Sequence, residues 1–304
     1  MKAAMCAKYG SPEVLKIQEV AKPKSKNGEI LVKIVASTVN SGDVRVRSLG
    51  VKGFLKVVMR IVLGFSKPRK QIIGVVFSGI VEAVGDKVSK FKVGDSVFGM
   101  TGFKFATHAE YIAVDKDSCV IEITINASYE EAVAIVFGGH TAIYFLNKMK
   151  IAAKSKARIL IVGATGSVGT SAVQIAKYYD AHITAVCSSA GEAFVRSLGV
   201  DDLILYDRES FLNHPHQFDF IFDAVGKTSK KQCDKLLKKN VQYKTVGGLE
   251  TASESKEQLE FLKLLFEKDL LKSVIDKTFL LDDVVEAHKY VDNGRKKWRC
   301  NSEN

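Results

Sequence analysis

Residues 159–169 read Ile-Leu-Ile-Val-Gly-Ala-Thr-Gly-Ser-Val-Gly, an apolar run that meets Gly163, Gly166 and Gly169 before the helix-forming stretch Thr170–Tyr179. Glycines spaced this way between a strand and a helix can hold phosphate. The first permits a tight turn, the second lets main chain approach a pyrophosphate, and the third lets the helix pack closely on the sheet. The helix N-terminus adds free N–H groups and the positive end of its dipole. Ala164, Thr165, Ser167 and Val168 complete this dinucleotide-binding loop. Its Gly-x-x-Gly-x-x-Gly spacing leans away from the commonest NAD fingerprint, Gly-x-Gly-x-x-Gly. At the end of the next apolar segment, Cys187-Ser188-Ser189 lacks the acidic residue that grips the ribose hydroxyls of NAD. That leaves room for a 2′-phosphate, to which Ser188 can donate, so NADPH is expected ahead of NADH.

Such a loop must sit at the first turn of a parallel sheet, and the surrounding sequence supplies one. Candidate strands Arg158–Val162, His182–Cys187, Leu203–Tyr206, Phe218–Asp223 and Val241–Val246 alternate with candidate helices Thr170–Tyr179, Glu192–Leu198 and Ser229–Lys238. Repeated strand–helix–strand units imply right-handed crossovers and a doubly wound sheet. Phe222–Gly226 and Thr245–Gly248 then fall at carboxyl ends of strands, where such sheets bind ligands. These bring Ala224, Val225, Val246, Gly247 and Gly248 into the candidate site. Before about Ile123 the texture is different, with short alternating strands at Ile30–Ala36, Gly79–Val84, Asp95–Gly99 and Ala109–Val114 broken by glycines, a mostly β domain. A helix is expected near Lys256–Lys268, and an irregular texture over Val274–Tyr290.

Composition narrows the class. The chain has 304 residues, 46% hydrophobic and 26% charged, the profile of an ordinary folded protein of two domains. The net charge of +11 comes from scattered lysines without interleaved aromatic platforms, so no nucleic-acid partner is expected. The start has no apolar core like that of a secretion signal, and no apolar run reaches the roughly 20 residues that span a bilayer, so a cytoplasmic protein without membrane insertion is expected. The five cysteines lie far apart, with no Cys-x-x-Cys and no histidine spaced to complete a metal site. One apolar stretch stands out, Phe54–Phe65, broken only by Lys56 and Arg60. It reads as a helix packed over a cleft or as a greasy lid that admits a hydrophobic substrate or rests on a membrane surface.

Several segments in order carry a family resemblance: Met1-Lys-Ala-Ala, Tyr9-Gly-Ser-Pro-Glu-Val-Leu, Gly28-Glu-Ile-Leu-Val-Lys, Val39-Asn-Ser-Gly-Asp-Val-Arg, Gly74-Val-Val-Phe-Ser-Gly-Ile-Val-Glu-Ala-Val-Gly, Phe91-Lys-Val-Gly-Asp-Ser-Val-Phe-Gly and His108-Ala-Glu-Tyr. Together with the glycine loop they resemble the zinc-independent, quinone-oxidoreductase-like branch of the medium-chain dehydrogenase/reductase superfamily. The resemblance implies an α/β chain with a GroES-like, mostly β catalytic domain (1–124 and 271–304) and a Rossmann domain (125–270). It implies NADPH bound across the interdomain cleft and hydride transfer to a small hydrophobic quinone or α,β-unsaturated carbonyl. Zinc relatives carry cysteines and a His-Glu pair where this chain has Ser41, Val75-Val76 and Phe137, none able to hold the metal. Without a Lewis acid, reduction of an electron-poor acceptor is easier than alcohol oxidation.

The resemblance places Asn40, Asp43 and Thr141 beside the nicotinamide and Tyr206 at the adenosine end. On their own residues, Asn40–Asp43 also reads as a self-stabilised turn, Thr141 as a helix-start hydroxyl, and His108 and His140 as interior histidines. Many relatives carry Arg or Lys where this chain has Ala190, so the phosphate clamp is expected to be weak. A tyrosine that some relatives offer as proton donor is replaced by Arg45, leaving protonation to water or a cofactor hydroxyl. Two departures stand apart: the chain runs directly from Gly248 to Lys256 where relatives have a sixth sheet strand, and it ends Lys296–Asn304 in place of a short apolar strand. The first removes the edge through which relatives commonly dimerise. Together they also admit an impaired NADP(H)-binding sensor or structural protein.

Overall fold

The computed structural model describes residues 1–51, 53–124, 126–248, 250–294 and 300–301, and divides into two units. The first comprises Met1–Val136, Glu254–Lys263 and Ser273–Asn304. It runs through β1 (Lys2–Cys6), β2 (Leu15–Glu19), β3 (Glu29–Ser37), α1 (Ser41–Ser48), α2 (Phe54–Leu63), β4 (Val76–Val84), β5 (Ser96–Met100), β6 (Tyr111–Asp115) and β7 (Val120–Glu122). Antiparallel β3 is its axis, pairing with β4 along one edge and with β6 along the other. Alternation turns Ile30, Val32 and Ile34 inward onto Phe77, Val81, Val97 and Ile112, which form one apolar core.

Helix α3 (Tyr129–Lys148) carries the chain into the second unit, Phe137–Ser253 with Leu264–Lys272. There β8 (Arg158–Val162), α4 (Ser167–Tyr178), β9 (His182–Cys187), α5 (Glu192–Ser197), β10 (Asp202–Leu205), β11 (Phe218–Asp223), α6 (Lys230–Cys233) and β12 (Leu237–Thr245) follow in turn. The strands are parallel, in the order β10-β9-β8-β11-β12. Chain direction across the sheet therefore reverses between β8 and β11. In a doubly wound sheet that switch point opens the ligand crevice at the carboxyl ends of the strands. Helix α7 (Lys256–Glu267), α8 (Val284–Asp292) and the short β13 (Cys300–Asn301), which pairs with β3, complete the chain. A mostly β domain joined to a doubly wound parallel-sheet domain is the architecture expected from the sequence.

Some expectations need correction. The helix expected over Ser229–Lys238 stops at Cys233, with a 3-10 turn to Leu236, because Leu237 already starts the edge strand. The segment Val274–Tyr290 holds a regular helix, α8, whose Val284, Ala287, His288 and Val291 recur at helical spacing and are buried. Among the described residues β12 is the last strand of its sheet, so the sixth strand is indeed missing. The altered ending, apart from Cys300–Asn301, lies outside the described residues. Helix α2 buries Leu63 but leaves Val57, Ile61 and Val62 about half exposed. Among the described residues, no helix is long and apolar enough to cross a membrane.

Candidate active site

The glycine loop has the geometry its spacing implies, with a separate task for each glycine. Gly163 turns the chain out of β8 with φ +83°, and a Cβ there would strike Val225. Gly169 lies against the turn itself: a Cβ would come within 2.1 Å of the Gly163 carbonyl oxygen and 2.9 Å of Ala164 Cα. Gly166 is different, because a Cβ there would meet nothing nearer than 3.6 Å. Its lack of a side chain serves no internal packing and leaves main chain bare on that side. Gly166 also begins α4 without any side-chain cap. The first-turn amides of Ser167, Val168 and Gly169 thus have no intrahelical acceptor and stand beside the positive helix end. Gly166 N–H closes the turn on the Gly163 carbonyl at 3.1 Å, and the Thr170 hydroxyl donates to the Ala164 carbonyl at 3.0 Å. A pyrophosphate fits this surface.

The neighbouring strand ends are fixed by one buried carboxylate. Asp223 accepts from the amides of Val225, Gly226 and Thr228 and from the hydroxyls of Thr228 and Thr245, at 2.7–3.3 Å. Ala224 N–H reaches back to the Val162 carbonyl and Val246 N–H to that of Asp223. Gly226 and Gly247 face each other so closely that a Cβ on either would lie 2.7 Å from the other's Cα. Ala224, Val225, Val246, Gly247 and Gly248 are therefore gathered at the carboxyl ends of β11 and β12. Helix α3 joins them: a Cβ on Gly138 would lie 2.4 Å from Ser167, and one turn later the Thr141 hydroxyl donates to the Phe137 carbonyl at 2.9 Å. His140 is buried in the same helix.

After β9 the chain turns back on the loop, since a Cβ on Gly191 would meet Thr165 Cγ2 at 2.3 Å. Ser188 begins this turn, and Tyr206, just past β10, is largely exposed. The sequence reading missed the next residue. Asp207 accepts from Ser189 N–H at 2.9 and 3.1 Å and from the Ser189 hydroxyl at 3.1 Å. A carboxylate from just past β10 thus stands against the turn that follows β9.

Asn40 and Asp43 lie in the first unit and are tied to each other. Asn40 Oδ1 accepts from Gly42 and Asp43 N–H at 2.8 and 3.2 Å, while Asp43 Oδ2 accepts from Asn40 N–H at 2.8 Å, a reciprocal cap on α1. The self-stabilised turn is thus real, yet it uses only part of each side chain. Asn40 Nδ2 and Asp43 Oδ1 are buried without a hydrogen-bond partner among the described residues.

They belong to a wider buried polar group that the sequence did not disclose. One turn along α1, fully buried Arg47 pairs with Asp292 of α8 at 2.7 Å, leaving its Nε and Nη1 without a partner among the described residues. His108 Nε2 bonds the Thr38 carbonyl at 3.1 Å, and its ring meets that of His288 edge to face, 5.7 Å between centroids. Burial pushes Asp43 up to about 7 and His108 down to about 4. Burial first, then the nearby His108 and Arg47 charges, lowers His288 well below its ordinary value. The helical spacing of α8 was the available signal for His288. Among the described residues no three His, Cys, Asp or Glu side chains converge as metal ligands.

Comparisons with known proteins agree with this geometry. Residues 26–133 match the alcohol dehydrogenase GroES-like domain and residues 167–278 match the zinc-binding dehydrogenase domain. The chain is 32% identical to 2-methylene-furan-3-one reductase of Solanum lycopersicum, an alignment covering 97% of this chain and 77% of that protein. It is 34% identical to the mitochondrial NAD(P)H oxidoreductase RTN4IP1 of Bos taurus over 79% of this chain, and spans 63% of that relative's length. The quinone oxidoreductase of Coxiella burnetii superposes with a TM-score of 0.85 at 26% identity, covering 99% of this chain and 98% of that one. With two matched domains, a bare glycine loop at the sheet's switch point and these relatives, the chain belongs to the quinone-oxidoreductase-like branch of the medium-chain dehydrogenase/reductase superfamily.

Proposed function

We propose that the chain is an NAD(P)H-dependent oxidoreductase that reduces a quinone or an α,β-unsaturated carbonyl compound without a metal ion. The observation that carries this reading is Gly166, which has room for a side chain, carries none, and starts an uncapped helix. A bound dihydronicotinamide supplies the hydride. The amides of Ser167–Gly169 hold its pyrophosphate over the bare main chain of Gly166, Ser188 and Tyr206 flank the adenosine end, and the main chain at Ala224, Val225 and Val246–Gly248 lines the nicotinamide ribose. In this reading residues 125–270 bind coenzyme, and residues 1–124 with 271–304 serve the acceptor.

Asn40 presents its unpartnered Nδ2 hydrogens to a carbonyl oxygen, as a donor held rigid by Asp43. Thr141, whose proton is already committed to Phe137, offers its oxygen lone pairs to the carboxamide. Hydride addition leaves an enolate or quinol oxyanion, and a solvent proton completes the product. Orientation then supplies most of the rate, an effect worth roughly 7–11 kcal/mol in well-aligned systems. Val75, Val76 and Phe137 stand where metal-dependent relatives carry ligands, which agrees with metal-free reduction. The test is oxidation of reduced coenzyme at 340 nm with a panel of small quinones and enones, with and without a chelator. Turnover insensitive to chelation supports the proposal. Tight coenzyme binding with no turnover across the panel rejects the reductase reading and favours a coenzyme-binding sensor.

A further inference from the structure

We propose that Asp207 makes this protein select the coenzyme with a free 2′-hydroxyl, NADH, over its 2′-phosphorylated form, NADPH. This rests on the reading that the glycine loop holds the coenzyme pyrophosphate. With the pyrophosphate on Gly166–Gly169, the adenosine ribose of a doubly wound domain falls at the end of the second strand. Here that strand is β9, and its turn is fixed against the loop by the contact between Gly191 and Thr165.

A 2′-phosphate at this place needs donors and positive charge. The amide and hydroxyl of Ser189 are donors, but both are already engaged by the Asp207 carboxylate. A phosphate would have to displace one anion with another carrying nearly two charges. The surrounding charges do not favour that exchange. Glu192 also lies close: both it and Asp207 act on the buried Cys187 thiol, whose proton is held first by burial and then by these two carboxylates. The guanidinium of Arg196 is spent on Glu192 in two bonds, at 3.0 and 2.9 Å. Arg208 is next to Asp207 in sequence and helps keep it ionised. The turn itself, Ser188-Ser189-Ala190-Gly191, has no basic residue.

A carboxylate held this way is what a ribose hydroxyl requires, a fixed anionic acceptor for a charge-assisted hydrogen bond. The acid comes from the third strand of the sheet instead of the second. Inspection of the β9 terminus alone therefore points to the opposite coenzyme.

The experiment is calorimetric titration of the full chain with NADH and with NADPH, for the wild type, Asp207→Ser and Asp207→Asn. Wild type is expected to bind NADH about tenfold more tightly, the scale of one charge-assisted hydrogen bond. Asp207→Ser frees Ser189 and removes the charge, so it should tighten NADPH about tenfold while weakening NADH. Asp207→Asn keeps an acceptor without the charge and should fall between. Tighter NADPH binding by the wild type, or a ratio unmoved by either substitution while both coenzymes still bind, overturns the proposal and leaves the reductase reading standing. Failure of the wild type to bind either coenzyme overturns the reading of the glycine loop itself, and this proposal with it. Asp207 is exposed, so folding of the variants is checked simply by an unchanged far-ultraviolet dichroism spectrum.

Discussion

The candidate residues of the two units are built from different materials. The half in the second unit is main chain: three glycines, the free amides of α4, and two strand ends brought so close at Gly226 and Gly247 that neither tolerates a Cβ. The set in the first unit is side chain: Asn40, Asp43, Arg47, His108 and His288, all buried and each with a polar atom unpartnered among the described residues. A main-chain site is insensitive to pH and is broken by any added atom. A side-chain site tolerates shape changes but depends on proton occupancy. That contrast predicts how each half fails.

The largest effect is expected at Gly169. Valine there drives its Cβ into the Gly163 carbonyl and Ala164 Cα, which are backbone and cannot rotate away. Overpacking of this kind costs about 3 kcal/mol. Thermal unfolding should register a Tm lower by roughly 10 °C. An unchanged Tm would mean that the third glycine is not a packing element.

Acid should act on the other half. His108 and His288 have folded values below their ordinary one, so the unfolded chain takes up these two protons first and stability falls as pH drops from about 6.5 toward about 4. Asp43 works the opposite way. Its folded value of about 7 means the native state already holds a proton there that the unfolded chain takes up only near 3.8, so acidification between these values favours the fold. Near pH 5 the net difference is about one proton, or about 1.4 kcal/mol per pH unit. Asp43→Asn removes the compensation and should roughly double the slope, whereas His108→Gln should flatten it. Urea unfolding at pH 4.5, 5.5 and 6.5 measures all three, and parallel slopes for wild type and Asp43→Asn would refute this account.

The smallest change in stability belongs to Gly166. Alanine makes only an ordinary contact there, 3.6 Å from the Gly163 carbonyl oxygen, at an unstrained φ of −77°, so the fold should lose less than about 1 kcal/mol through the poorer helix cap. Coenzyme affinity should nevertheless drop at least about tenfold, since a methyl group would stand between pyrophosphate and amides. Gly166→Ala with wild-type affinity would detach the second glycine from nucleotide binding.

This division also explains what could be read from the sequence. Strands β8, β9 and β11 have the ends that their apolar runs indicate, because buried parallel strands are continuous hydrophobic segments. The glycine loop is equally local. Its parts are adjacent in sequence, and the spacing that permits the turn is the spacing that exposes the amides. The polar group of the first unit draws on residues from Thr38 to His288, and no short motif joins them. Arg47 in particular reads as surface, since arginine is rarely buried unless paired, and its partner Asp292 is 245 positions away. Asp207 escaped for a related reason. Its role depends on the loop after β10 folding onto Ser189, a tertiary contact between exposed polar residues with no hydrophobic periodicity to announce it.

The Gly226–Gly247 approach has a consequence for how such a protein can diversify. Two backbones this close leave no room for a side chain, so a substitution at either glycine must shift the strand ends themselves. Under the proposed function, new acceptor preferences are expected to come from the side chains of the first unit. A mutant library seeking altered chemistry should hold both glycines constant and vary the surroundings of Thr38 and Asn40.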